Sequence, residues 1–226
     1  MQTRPGPGLH KIVVTDQDGG LGQFGGGAWL HDAALWPMDP STGRPMLPIV
    51  MLTGLFLPTA YLPDGMVLTV FASIERPGGA DGRSSLRRLA VNQQGESDKL
   101  AQGHSKVLLH RRAAQEVCVG DSARLLGRHF IGLQPFGDHD MAEELEDEDS
   151  GAGMSKQLGR PCWLQDPIYT SPRYYFLAQF VEAELGRVDP GYAGLFGDGT
   201  GYLFADQRAR QLGDGVAAGH FFIQFT

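Results

Sequence analysis

The chain is short of the residues that most quickly assign a function. It has two cysteines in 226 residues, Cys118 and Cys162, far apart and in no metal-ligand spacing. A disulfide framework and a thiolate metal centre are therefore not encoded, and both thiols are expected reduced, as in a cytoplasmic protein. No segment approaches the ~20 consecutive apolar residues of a membrane-spanning helix. Residues 1–9 carry Pro and Gly in place of the apolar core of a secretory leader and read as a flexible tail. Cationic side chains are outnumbered, 19 Lys and Arg against 26 Asp and Glu, for a net charge of −7. That balance disfavours nucleic acid and anionic membrane as partners, since both select basic surfaces.

Catalytic signatures are missing as well. There is no G-x-S-x-G elbow, no H-E-x-x-H pair and no lysine-bearing phosphate loop. Cys118, His129 and Asp198 are chemistry-bearing residues with no motif to join them. His104, His110 and Arg111-Arg112 lie close together in sequence without a carboxylate or cysteine at metal spacing. The reading is a non-enzymatic protein with no cofactor and no metal. Gly20-x-Gly22-x-x-Gly25 matches a dinucleotide fingerprint in form only, because no helix of the required length follows it.

What the chain does have is glycine, proline and short apolar runs. The 32 Gly and 14 Pro predict many turns and few long helices. His10–Thr15, Pro45–Thr53, Met66–Ile74, Tyr174–Gln179 and Gly219–Thr226 read as strands, the last paired within a sheet. Leu86–Val91, Lys106–His110 and Gln115–Val119 are expected as short strands of a polar middle region, and Arg128–Gln134 as a strand edge. Asp198-Gly199, between Leu195-Phe196 and Tyr202-Leu203-Phe204, predicts a tight hairpin with Gly199 at positive φ.

The most biased segment is Asp138–Asp149, with eight acidic residues in twelve, followed by Ser-Gly-Ala-Gly. Like charges at this density repel one another, so residues 138–153 are expected as a mobile, solvated loop. Glu143, Glu144, Glu146, Asp147, Glu148 and Asp149 are its candidate partner-binding residues. A short helix through Ala142–Leu145 is compatible with the composition.

The two ends of the chain share an order of features. Gly27-Ala-Trp-Leu30 parallels Pro161-Cys-Trp-Leu164, Leu47–Leu52 parallels Tyr174–Gln179, and Gly65–Phe71 parallels Gly199–Phe204. The pattern predicts an α+β, mostly β fold built from two related lobes, about 10–91 and 154–226, within a single domain. The segments Gly159-x-Pro161-x-Trp163-Leu-Gln165, Leu177-Ala-Gln179 and Phe196-Gly-Asp-Gly-x-Gly-Tyr-Leu-Phe204 resemble the YwqG-like family of unknown function (DUF1963). So do Trp36-Pro37, Gly43-x-Pro45 and Pro63-x-Gly65-x-x-Leu68. The chain departs from the family pattern at Met51-Leu-Thr53, where members carry Leu-x-Gln. The resemblance implies a duplicated, mostly β fold with no established catalytic residues, and members found in bacterial toxin–immunity neighbourhoods. The expected function is thus a cytoplasmic immunity protein that binds and neutralises a cognate basic toxin, such as a nuclease. The alternative is a small-ligand binder with a pocket between the lobes, anchored by Trp163, Gln165 and Gln179.

Overall fold

A computed structural model describes residues 4–75, 82–146 and 151–226. Strands account for 35% of it and helices for 20%, which is the α+β, mostly β class read from the sequence. The strands are β1 (His10–Thr15), β2 (Gly22–Phe24), β3 (Ala28–Leu30), β4 (Leu47–Thr53), β5 (Met66–Ala72) and β6 (Ser105–Val117). They continue with β7 (His129–Pro135), β8 (Lys156–Gln157), β9 (Tyr174–Val181), β10 (Thr200–Asp206), β11 (Val216–Ala217) and β12 (Gly219–Gln224). Helices α1 (Gly82–Leu89), α2 (Asp138–Glu146) and α3 (Glu182–Val188) complete the frame with several short 3-10 turns.

The sheet runs β11-β6-β5-β4-β2-β7-β1-β8-β9-β10-β12, with β3 added against β6. Outward from the central β7–β1 pair, each side begins with a short strand and two longer ones, β2-β4-β5 on one side and β8-β9-β10 on the other. One side then ends in β12, and the other in the long β6 with the two-residue β11 at its edge. The first strand of each half crosses over: β1 pairs with β8 of the second half, and β7 pairs with β2 of the first. The two halves therefore share one sheet. The region expected to be a polar middle supplies β6 and β7, and β7 lies at the centre of the path, not at an edge.

The two ends of the path belong to one continuous piece of chain. β11 pairs with β6 and β12 with β10, and only Ala218 separates them. The Ala218 N–H donates to the Val107 carbonyl at 2.8 Å, and its own carbonyl accepts from the Asp206 N–H at 2.9 Å. The sheet is thereby curled until its edges meet, which consumes the backbone groups an open edge would leave unpaired. The aggregation-prone run Phe221–Ile223 is buried in this closing strand.

Strands buried on both faces explain the continuous apolar runs. In β5, Leu68, Val70 and Ala72 enter the main core with Ile12, Ile49, Leu109, Ile131 and Phe180. Phe71 points to the opposite face and packs with Leu108, Met46 and Trp36, whose ring lies 5.3 Å from that of Phe71. In the second half Leu203 and Ile223 face inward, while Tyr202, Phe204 and Phe222 face outward under Trp163. Trp36 is thus the packing counterpart of Trp163. Trp29, the counterpart expected from sequence, instead lies 4.5 Å from the Arg112 guanidinium.

Several local expectations change. Leu86–Val91 is largely the helix α1, because Ser85 and Leu89, four apart, bury one helical face. β6 is one thirteen-residue strand in place of two short ones. The tail is pinned from residue 4 onward: Arg4 donates to the carbonyls of Gly54, Leu57 and Thr59. Asp138–Glu146 is helical, with Asp138 and Asp140 in its first turn, where the helix dipole favours negative charge. The rest of the expected loop up to Ser150 lies outside the described residues.

The glycine-rich turn is also built differently. Leu195-Phe196 is not a strand arm. Residues 194–198 wrap the buried Glu182 carboxylate, which accepts from the backbone N–H of Gly194, Phe196 and Asp198 at 2.6, 2.5 and 3.1 Å. Positive φ falls on Gly197 (67°) and Asp198 (62°), and Gly199 is not among the positive-φ residues. Gly199 is required for another reason. A Cβ there would sit 2.0 Å from the Gln224 carbonyl oxygen, which belongs to the closing strand. Gly199→Ala should therefore destabilise the protein by roughly 3 kcal/mol, near the upper range for an overpacked site. Chemical denaturation checks this, and an unchanged midpoint would refute the close approach.

Candidate functional site

The chain carries two kinds of buried polar arrangement, one that fastens loops to the sheet and one beside a cavity. The fastening kind includes most of the site residues expected from sequence. Glu144 is 2% exposed and pairs with Lys156, which is 0% exposed. The same carboxylate accepts the N–H of Ala152 at 2.8 Å and of Arg160 at 2.7 Å. Burial pushes the Lys156 pKa down, and the Glu144 carboxylate opposes that shift. Glu144 is therefore not a surface contact. It is the point where α2, β8 and the 151–160 segment are tied together. Glu143 is half-buried and accepts from the Gly153 N–H at 3.2 Å. Glu146 is exposed, and Asp147, Glu148 and Asp149 lie outside the described residues.

The expected ligand anchors serve the same purpose. Gln179 is fully buried; its amide oxygen accepts the Cys162 N–H, and its amide nitrogen donates to the carbonyls of Ala152 and Met154. Gln224, which sequence reasoning passed over, does likewise. It accepts from the N–H of Leu164 and Gln165 and donates to Val91 and Asp166. Gln165 is exposed and donates to the Phe225 carbonyl at 3.2 Å. Trp163 lies 4.9 Å from the Tyr202 ring and stacks near Phe204 and Phe222. These residues hold the 151–166 segment on the outer face of β9, β10 and β12. At the Met51-Leu-Thr53 departure the Thr53 hydroxyl performs a smaller version of the same task, donating to the Gly20 carbonyl at 2.6 Å.

The cavity lies elsewhere. A space of about 570 Å³ opens where the β4–β5 connection meets Leu158, Tyr175 of β9 and the β10–β11 connection. Both halves of the sheet contribute walls. Leu57, Pro58 and Ala60 come from the first, and Leu158, Tyr175, Gln207, Arg208, Arg210 and Gln211 from the second. Tyr61 and Tyr175 meet edge to face at 5.6 Å, and the Tyr61 hydroxyl donates to the Asp206 carbonyl at 3.3 Å. Burial pushes both phenols above the ordinary tyrosine range, so they remain neutral. Leu158 has φ of 58°, a left-handed conformation unusual for a side chain of its size. Trp163, Gln165 and Gln179 do not line this space.

Beneath the rim, the fully buried Asp206 receives Arg173 Nε at 2.6 Å and the backbone N–H of Arg208 at 2.9 Å. The Arg208 guanidinium approaches it at 3.6 Å. Arg210 is exposed and has no hydrogen bond or ion pair with any described residue. The only sequence cue to this site was the cluster Asp206-Gln-Arg-Ala-Arg210, which no motif marks out.

Among the described residues no group of three or more His, Cys, Asp or Glu side chains converges as a metal site. Among the described residues no helix is long and apolar enough to cross a membrane. His129 meets Asp189 at 3.1 Å, so neither Cys118 nor Asp198 is its partner. No family model matches the chain, and no curated protein is similar to it.

Two measurements test these placements. Lys156→Met leaves the Glu144 carboxylate buried without its cation and should cost about 3–5 kcal/mol, whereas Lys156→Met with Glu144→Leu should recover most of that loss. Denaturant unfolding of both variants decides it, and a harmless single substitution would mean the pair is solvated. For Asp206, burial raises the pKa, but Arg173 and the Arg208 N–H outweigh it and hold the group below its ordinary 3.8. A depressed folded pKa means stability present above pH 3.8 and lost as pH falls through the depressed value. An acid titration of unfolding should therefore be flatter below that pH in Asp206→Asn than in the parent protein. Superimposable curves would contradict the assignment.

Proposed function

We propose that this protein is a non-catalytic binder that holds a small ligand in the cavity between the two halves of its sheet. The observation that carries this reading is the cavity's construction. Its volume of about 570 Å³ falls within the roughly 300–1,000 Å³ typical of ligand pockets. Its walls combine apolar residues with a few polar groups, the usual division between binding energy and orientation. The wall loop is held by Arg4, and the opposite wall includes the left-handed Leu158, a local cost of the kind that clusters at functional sites. Preorganised walls reduce the entropy lost on binding.

A second reading rests on α2. Met141 and Leu145, four residues apart on that helix, are 37% and 71% exposed beside the acidic Asp138 and Glu146. With the YwqG-like resemblance, this supports an immunity-type role in which the helix meets an apolar and basic patch on a toxin. Glu144, buried against Lys156, takes no part in that surface.

Nuclear magnetic resonance with amide detection tests the first reading. Fragments of drug-like polarity at millimolar concentration should shift amides of residues 57–61, 158, 175 and 207–211 above all others. Ala60→Trp, which places an indole in the cavity mouth from an exposed position, should abolish those shifts while leaving the fold intact. Shifts confined to other surfaces, or indifferent to Ala60→Trp, would remove the cavity from the function. Shifts confined to α2 on addition of a basic partner would favour the second reading.

A further inference from the structure

We infer that the ligand of this cavity is an amphiphilic anion, with an aromatic body and a carboxylate or phosphate group at one end. The inference rests on the ligand-binding reading above and adds the chemistry of what is bound. Its basis is a local reversal of charge. The protein as a whole carries −7, yet among the described residues no acidic side chain lines this cavity, and Arg208 and Arg210 both do. The nearest carboxylate, Asp206, is fully buried and already engaged by Arg173. The described lining of the cavity thus holds two guanidiniums and no carboxylate.

Arg210 makes no hydrogen bond or ion pair with any described residue, so its fork of donors is available. Arg208 is held only loosely by Asp206, at 3.6 Å and from one side. Guanidiniums match the planar geometry of a carboxylate and the oxygens of a phosphate with paired hydrogen bonds. In a protein whose overall field repels anions, such a local pair is what lets an anion approach. The rest of the lining has the opposite character. Leu57, Leu158 and the edge-to-face Tyr61–Tyr175 pair present apolar and aromatic surface, and the phenols are neutral. Aromatic rings receive a further aromatic edge or face better than an aliphatic chain does. The arrangement places a flat apolar group against the tyrosines and its charge toward the arginines.

The test compares 2-naphthoate with 2-naphthamide, which has the same ring and no charge, and with inorganic phosphate, which has charge and no ring. Dissociation constants are read from amide shifts of the full chain. Naphthoate is expected to bind at least about tenfold more tightly than naphthamide, the scale of one charge-assisted contact. Arg210→Gln should remove most of that difference and leave naphthamide binding unchanged. Because Arg210 has no partner among the described residues, this variant is expected to unfold like the parent, and Arg208→Gln with Arg210→Gln serves as the stronger version. Equal affinity for naphthoate and naphthamide would overturn the anionic assignment while leaving the cavity reading intact. Phosphate binding as tightly as naphthoate, and insensitive to Ala60→Trp, would place the anion on surface arginines outside the cavity and overturn the inference. Failure of both naphthyl probes at millimolar concentration, with no shifts at residues 57–61 or 175, would overturn the inference and the cavity reading together.

Discussion

The closing contact at Ala218 is the constraint on which the rest of the fold depends. A single residue hands the chain from β6 to β10, and its two backbone hydrogen bonds, to Val107 and from Asp206, join the edges of the curled sheet. Without that junction β6 and β10 would each present an unpaired edge, and the inner face of the sheet would open to water. Closure also places the β10–β11 connection opposite the β4–β5 connection, and the cavity forms where they meet. The need for a side-chain-free Gly199 against Gln224 belongs to the same junction, because Gln224 lies on the closing strand.

A sheet curled this tightly leaves long connections on its outer face, and the protein fastens them with single polar side chains placed where several backbone groups converge. Glu182 gathers three N–H groups of the 194–198 turn. Glu144, Gln179 and Gln224 do the same for residues 151–166. Each such group is costly to bury unless its hydrogen-bonding capacity is filled, and here loop backbone fills it. The result is a surface whose loops have little freedom, suited to presenting preformed walls to a ligand. The charge pattern follows the same division of labour. Carboxylates are drawn inward as fasteners or spread over the exterior, and Arg208 and Arg210 meet at the lining of the cavity.

The order of strands places the parallel features of the two ends of the chain at matching distances from the β7–β1 pair. β4 and β5 occupy in one half the places that β9 and β10 occupy in the other, as Leu47–Leu52 against Tyr174–Gln179 and Gly65–Phe71 against Gly199–Phe204 suggested. What the parallel did not contain was the exchange of β1 and β7 between halves. Strand pairing across a hundred residues leaves no local trace, because each strand satisfies the same alternation whichever neighbour it meets.

By itself the sequence determined the class of fold and where its strong strands lie. Runs such as Met66–Ala72 and Gly219–Gln224 are apolar on both faces and bounded by turns, and local propensity and burial there agree. It also determined that the protein is acidic and lacks recognised catalytic motifs. Only the tertiary structure decided which acidic residues are surface and which are fasteners. Glu144 and Glu146 are indistinguishable in an acidic run, but one turn of helix carries Glu144 inward to Lys156 and leaves Glu146 in solvent. It likewise decided that Gln179 and Trp163 secure a loop and that the cavity belongs to Tyr61, Tyr175, Arg208 and Arg210, which no spacing rule connects. The reason is that burial and proximity are properties of long-range pairing, and composition and periodicity report only on the neighbourhood along the chain.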